Sequence, residues 1–170
     1  SIGERTPLAI LNPAAAARIS VAEAVTNILP SGLSNLSDIK LSANWMGSPD
    51  RLDGNQDLYQ AVEAIGMDLC PKWKIAIPVG KDSMSMKTKW QQNNADLEMI
   101  SPLSVIITAF APVSDVRKTL TPQLNLESEN TSLLFIDLGK NSSQIGGSCF
   151  AQVYKKIGKL SKKIDSELYI

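Results

Sequence analysis

The 170-residue sequence has no histidine, two cysteines and only 5% aromatic residues, and its 17 basic and 17 acidic side chains cancel. Without imidazole there is no Ser-His-Asp or Cys-His catalysis and no imidazole-ligated zinc. Any chemistry must run on carboxylates, amides, hydroxyls, Lys, Arg and backbone donors. Zero net charge argues against a strongly basic nucleic-acid binder or a polybasic membrane-surface protein. The scarcity of rings leaves little for a base-stacking surface and makes the core mostly aliphatic. Cys70 and Cys149 form no CxxC pair. Both read as buried free thiols of a reducing compartment, which makes the cytoplasm the expected location. No apolar run approaches the length of a membrane span, so neither membrane nor nucleic acid is an expected partner.

The apolar fraction of 44% is enough for a real core. The length suits one ordinary domain, or one domain and a piece of another. The chain begins with Ser1 and its first residues read as interior sequence, so a fragment is expected. Gly3-Glu4-Arg5-Thr6-Pro7 reads as a polar loop, followed by the short apolar run 8–11. Asn12-Pro13 is a helix start, with Asn as cap and Pro in the first turn, and Pro30-Ser31-Gly32 is its stop. Residues 39–43 read as a strand and 44–49 as its turn-rich exit. A second helix is expected over 55–70, with Leu58, Val62, Ile65 and Leu69 as its buried stripe and Pro71 as its end. Residues 74–79 alternate as a strand with one apolar face, 91–96 read as a hairpin-like loop and 103–110 as a long central strand. The polar stretch 125–131 is the best boundary candidate. Beyond it come a strand at 133–136, a loop at 139–147 and a helix capped by Ser148 and running to about Ile157. The lysines at 155, 156, 159, 162 and 163 read as a solvated basic face. The order of elements gives a mixed α/β or α+β chain.

Three constellations bear on chemistry. On the first helix Val21, Val25 and Ile28 share one face, and Ala16, Ser20, Glu23 and Asn27 the opposite one. Glu23 and Asn27 stand at i, i+4, so their oxygens can converge on one point. A hard cation such as Mg²⁺ takes a carboxylate, a neutral oxygen, waters and phosphate oxygens. The alternative is a solvent-facing Glu with an Asn near the helix end. In Val79-Gly80-Lys81-Asp82-Ser83-Met84-Ser85, a strand exit with glycine, Lys and Ser suits anionic oxygens. It also suits a plain turn, and it lacks the spacing of a P-loop. Ile145-Gly146-Gly147-Ser148 opening a helix, and Asn44 near a strand's C-terminal edge, are weaker signals. Neither cysteine has a base beside it, so neither is assigned a nucleophile's role.

Several of these segments also resemble one family. Ile2-Gly3-Glu4-Arg5-Thr6-Pro7, Glu23-Ala24-Val25-Thr26-Asn27, Lys40-Leu41-Ser42-Ala43-Asn44-Trp45-Met46 and the block from Ile77 to Lys87 all resemble phosphoribosylformylglycinamidine synthase in its large single-chain form. Leu120-Thr121-Pro122-Gln123-Leu124 and Ile136-Asp137-Leu138-Gly139-Lys140 extend the likeness. The matches run in order over nearly the whole chain. The resemblance implies an α+β fold of the aminoimidazole ribonucleotide synthetase (PurM) N-terminal-like type, a mixed sheet with helices on one face. It places 1–130 in the second copy of that domain and 131–170 at the start of the C-terminal-like domain.

The implied activity is an ATP-dependent ligation in purine biosynthesis. ATP activates the amide oxygen of formylglycinamide ribonucleotide, and ammonia released from glutamine then gives the amidine. The residues matching Glu23 and Asn27 are Mg²⁺ ligands at an auxiliary ATP/ADP site, which the resemblance thus assigns to these two. Gly80, Lys81, Asp82, Ser83 and Ser85 would face the substrate's ribose phosphate across a pseudo-symmetric interface. The implied partners are the first synthetase half, the glutaminase domain and nucleotide substrates, with self-association of the isolated half. The family commonly has Gly where Ala22 stands, a small change beside Glu23. The glutaminase residues are absent, and the remaining metal aspartates are expected beyond both ends. The resemblance therefore implies a fragment inactive alone. The alternative is a non-catalytic Mg-nucleotide-binding half that stabilises the synthetase core.

Overall fold

A computed structural model describes residues 1–128, 130–137 and 145–158. Its centre is a four-stranded sheet in the order β1-β6-β2-β3. Strand β1 is Ile2–Glu4, β2 is Lys40–Met46, β3 is Ala76–Ser83 and β6 is Ser104–Phe110. The β1–β6 and β6–β2 pairs are antiparallel and β2–β3 is parallel, so the sheet is mixed. A separate hairpin joins β4, Lys87–Gln92, to β5, Ala95–Ile100. The helices lie on one face of the sheet, as expected of an α+β chain. They are α1, Thr6–Ala9; α2, Pro13–Ile28; α3, Gly54–Glu63; and α4, Cys70–Trp73.

Helix α2 forms where the sequence signals it. The Asn12 side chain accepts from the Ala15 N–H at 2.9 Å, Pro13 takes the first turn, and Gly32 ends the following 3₁₀ turn at φ 74°. Its two faces do not divide as apolar and polar. Ala16 and Ser20 are as buried as Val21 and Val25, because β1 packs on the small face and the rest of the core on the other. Period-two alternation sorts the strands. Leu41 and Ala43 of β2, with Val105, Ile107 and Ala109 of β6, bury themselves under the helices, and each large side chain so buried is worth about 1.5–3 kcal/mol. Ile106, Thr108 and Phe110 turn to the other face, where Phe110 is exposed.

The structure corrects several sequence expectations. Residues 3–4 are strand rather than loop, and β2 runs on through Asn44–Met46 instead of turning. The second helix does not stop at Pro71; it ends at Lys74, in the left-handed region at φ 55°. Between α3 and α4, residues Ala64–Leu69 wind as a wider π-helical stretch. The buried stripe runs through Leu58, Ala61, Ile65 and Leu69, leaving Val62 exposed. The 91–96 loop tightens to Asn93-Asn94, both at positive φ, as a two-residue hairpin turn prefers. Cys70 is buried, but Cys149 is exposed. Residues 133–136 form no strand among the described residues, and their side chains are exposed. The last helix is short, α5 at Cys149–Val153, capped by Ser148 as expected. Most of the 139–147 loop and the lysines at 159, 162 and 163 lie outside the described residues.

Gly3 sets how closely β1 can lie on α2. A Cβ there would overlap the Ser20 carbonyl oxygen and stand 2.5 Å from the Ala24 nitrogen. Both obstacles are helix backbone and cannot rotate away. Gly3→Ala is therefore expected to cost about 3 kcal/mol, at the upper end of overpacking effects, read as a lower urea midpoint with an unchanged slope. A change within experimental error would show that β1 shifts freely on α2.

The π-helical stretch carries an ion-pair relay on its outside. Asp68 accepts from Lys72 at 2.8 Å and from Arg18 at 3.0 Å. Hydrogen bonds from Lys72 first, then Arg18, hold the Asp68 carboxyl below its ordinary range. A depressed native value means that the unfolded chain binds the extra proton first as pH falls. The stabilisation is thus present above an ordinary aspartate value of about 4 and is lost in more acid solution. Asp68→Asn is expected to lower Tm at neutral pH, with the gap to wild type closing below that point. A gap independent of pH would contradict this account.

Candidate functional site

Glu23 and Asn27 stand one turn apart on α2, and both reach β1. Glu23 Oε2 accepts from the Glu4 N–H at 2.8 Å, and Asn27 Nδ2 donates to the Ile2 carbonyl at 3.1 Å. The geometry of the sheet explains why those groups are free to bond. Ser1 exchanges backbone hydrogen bonds with Ala109, so Ser1 and Gly3 face β6. Ile2 and Glu4 then turn their N–H and C=O groups to the outer edge. The two side chains cover that edge, which would otherwise be an open template for another strand. Glu23 Oε1 is held separately, by the Arg5 guanidinium at 3.2 Å. The Glu4 carboxylate folds back onto the Thr6 N–H.

This arrangement has consequences for the donor atoms. One carboxylate oxygen and the amide nitrogen are committed to backbone. Glu23 Oε1 and Asn27 Oδ1 are the oxygens left to turn elsewhere, one on a side-chain partner and the other on an exposed amide. A carboxylate and an amide oxygen suit a hard cation. Among the described residues no group of three or more acidic, Cys or His side chains gathers to complete a cage. The pair by itself is not a complete cation cage.

The Gly80 to Ser85 segment differs from expectation. Gly80, Lys81, Asp82 and Ser83 are not a loop but the last residues of β3, in parallel register with Ala43 to Met46. Close approach at Gly80 is to protein, not ligand: a Cβ would meet the Ala43 carbonyl oxygen at 2.7 Å. Only Met84-Ser85-Met86 lies between β3 and β4. Register puts Lys81 beside Asn44 and Ser83 beside Met46. Lys81 Nζ donates to Ser83 Oγ at 2.7 Å, and the buried Asn44 Oδ1 has no hydrogen-bond partner. An ammonium, a hydroxyl and an amide thus share the outer sheet face at the carboxyl ends of two parallel strands, where ligands of such sheets often sit. Asp82 points the opposite way by alternation, and Ser85 is exposed beyond the strand.

The two predicted groups are not brought together. β1 and β3 are the opposite edges of the sheet, three spacings or about 14 Å apart. What sequence reading missed is the participation of β1. Arg5 and the backbone of Ile2 and Glu4 belong to the Glu23 site, although 3–7 read as a polar loop. The Ile-Gly-Glu alternation was a signal, but three residues are too few to carry it. Arg5 and Glu4 also line a cleft of about 760 Å³ with Thr6, Ser148, Cys149 and Gln152, where Gly147 seats against Leu8.

A comparison with known families agrees with this architecture. The FGAR-AT PurM_N-like domain matches residues 1–112, which take in every strand described above. That is about two thirds of the 170 residues and ends just past β6. The chain therefore belongs to the FGAR-AT PurM N-like domain family, and is a PurM-like part of an enzyme of purine biosynthesis, FGAR amidotransferase.

Proposed function

We propose that this chain serves the ATP-dependent conversion of formylglycinamide ribonucleotide, with glutamine as amido donor, to formylglycinamidine ribonucleotide, within the large single-chain form of the cytoplasmic enzyme. Its own part is that of a Mg-nucleotide-holding half rather than a reaction centre. The observation that carries this is the Glu23–Asn27 pair, whose oxygens are oriented by the outer edge of β1. A nucleotide's magnesium would draw on Glu23 Oε1 and Asn27 Oδ1, and the metal's role is to neutralise phosphate charge. The hydrogen bonds to β1 orient both side chains in the way that outer-sphere partners orient metal ligands generally. No residue of the chain is assigned a catalytic role.

The outer sheet face supports a second contribution. Lys81 and Ser83 offer a cation and a hydroxyl suited to a ribose phosphate, beside Asn44 on the neighbouring strand. Gly80 shapes the strand beneath them, Ser85 follows beyond the strand, and Asp82 faces the opposite side of the sheet. The substrate phosphate would then lie between this face and a partner half. Residues 1–130 form the unit proposed here, and 131–170 begin the next. The partners are the first synthetase half, the glutaminase domain and the nucleotide substrates.

Adding ADP with Mg²⁺ is expected to raise the Tm of the chain, a site at hundredfold saturation stabilising by about 2.7 kcal/mol. Glu23→Gln keeps an acceptor for the Glu4 N–H but removes the charge, so it should abolish the shift. An equal shift in both proteins would place the nucleotide elsewhere. Ile2 is 60% exposed, Val79 55% and Phe110 47% on the outer face. An apolar sheet face of this kind is expected to pair with a second copy when the half is alone. Sedimentation should show concentration-dependent dimers, weakened by Phe110→Lys. A strict monomer at hundreds of micromolar (on the order of a weak interface's Kd) would contradict that pairing.

A further inference from the structure

The two oxygens of Glu23 are held by partners of different kinds. Oε2 accepts from a backbone N–H of a paired strand, which cannot leave without disturbing the sheet edge. Oε1 is ion-paired with Arg5 at 3.2 Å, a long side chain that is 44% exposed. Exposed pairs of this kind are weak and easily exchanged. Arg5 also stands on the wall of the cleft that Glu4, Thr6, Ser148 and Gln152 share. A guanidinium there presents a planar fork of donors, the geometry that phosphate oxygens match best.

These facts create a conflict that only one class of ligand resolves. A bare divalent cation at Glu23 Oε1 must displace Arg5 and then sit beside its positive charge. A cation that brings a phosphate supplies the displaced guanidinium with a new anionic partner. We propose that Arg5 is a positioning residue that exchanges partners, from Glu23 Oε1 to the ligand's phosphate, and so makes the site select a chelated nucleotide over the free metal ion. The inference rests on the nucleotide reading of Glu23 given above and adds to it the source of selectivity. The exchange moves no proton and breaks no covalent bond. Oε2 stays on the Glu4 N–H throughout, so the carboxylate keeps its orientation while its other oxygen changes partner.

The test measures two affinities on the 170-residue chain, for Mn²⁺ alone by electron paramagnetic resonance and for Mn·ADP by calorimetry. Arg5→Met is expected to tighten bare Mn²⁺ severalfold and to weaken Mn·ADP by about tenfold or more, the size of a lost charged hydrogen bond. These changes have opposite signs, whereas loss of a merely structural contact would move both affinities the same way. Arg5→Lys, which keeps the charge but not the fork, should leave bare Mn²⁺ near wild type and weaken Mn·ADP partially. If Arg5→Met does not fold, the Lys variant carries the test, and wild-type Mn·ADP affinity in it overturns the proposal. Equal or same-sign changes in Arg5→Met also overturn it. Glu23→Gln separates the two levels. If it leaves Mn·ADP binding unchanged, or if the wild type binds neither probe, the nucleotide reading fails and this inference with it. Binding that depends on Glu23 but not on Arg5 overturns the exchange alone.

Discussion

The backbone of Gly3 rests on the backbone of α2 with no side chain between them. That contact brings an edge strand within reach of the helix. Only at this distance can Glu23 and Asn27 bond the outer groups of Glu4 and Ile2. The strand gains a cover for its open edge, and the helix gains fixed orientations for two side chains that would otherwise sample many rotamers. Structure and candidate chemistry share the same four hydrogen-bonding groups. Glu23 and Asn27 each commit one polar atom to sealing the edge, and the other oxygen of Glu23 is paired with Arg5.

The elements that sequence reading placed well are those with local, repeated signals. Asn12-Pro13 and Gly32 bound α2 through capping chemistry that depends on nearest neighbours. The aliphatic run of β6 is a buried central strand because alternate residues meet the helices and its neighbours pair on both edges. Failures came where partners distant in sequence decide. β1 is three residues long and becomes a strand through β6, roughly a hundred residues away. Gly80 to Ser83 carries glycine, Lys and Asp, which locally favour a turn, and parallel pairing with Ala43 to Met46 overrides that preference. The π-helical stretch has no periodic signature in the sequence.

The candidate site was legible in a similar measure. The i, i+4 spacing of Glu23 and Asn27 is visible in one dimension, and the structure turns both toward one strand. Their engagement with β1 was not visible, because a backbone N–H has no sequence signature. The Gly80 to Ser85 segment reads in sequence as a strand exit or a turn, whereas Gly80 to Ser83 are strand. They occupy an edge strand whose outer face is open, and glycine is needed there to admit Ala43.

Separation of the two groups on opposite edges of one sheet bears on how such a half operates. A phosphate held near Lys81 and a nucleotide held near Glu23 cannot meet within one copy, because β6 and β2 lie between them. The open face, with Asn44 Oδ1 buried and unpaired, is what one expects of a surface completed by another domain. The belonging of this chain to a family of multidomain enzyme parts gives the same answer from a different direction. Within this sheet the two polar groups therefore stay apart, one at each edge.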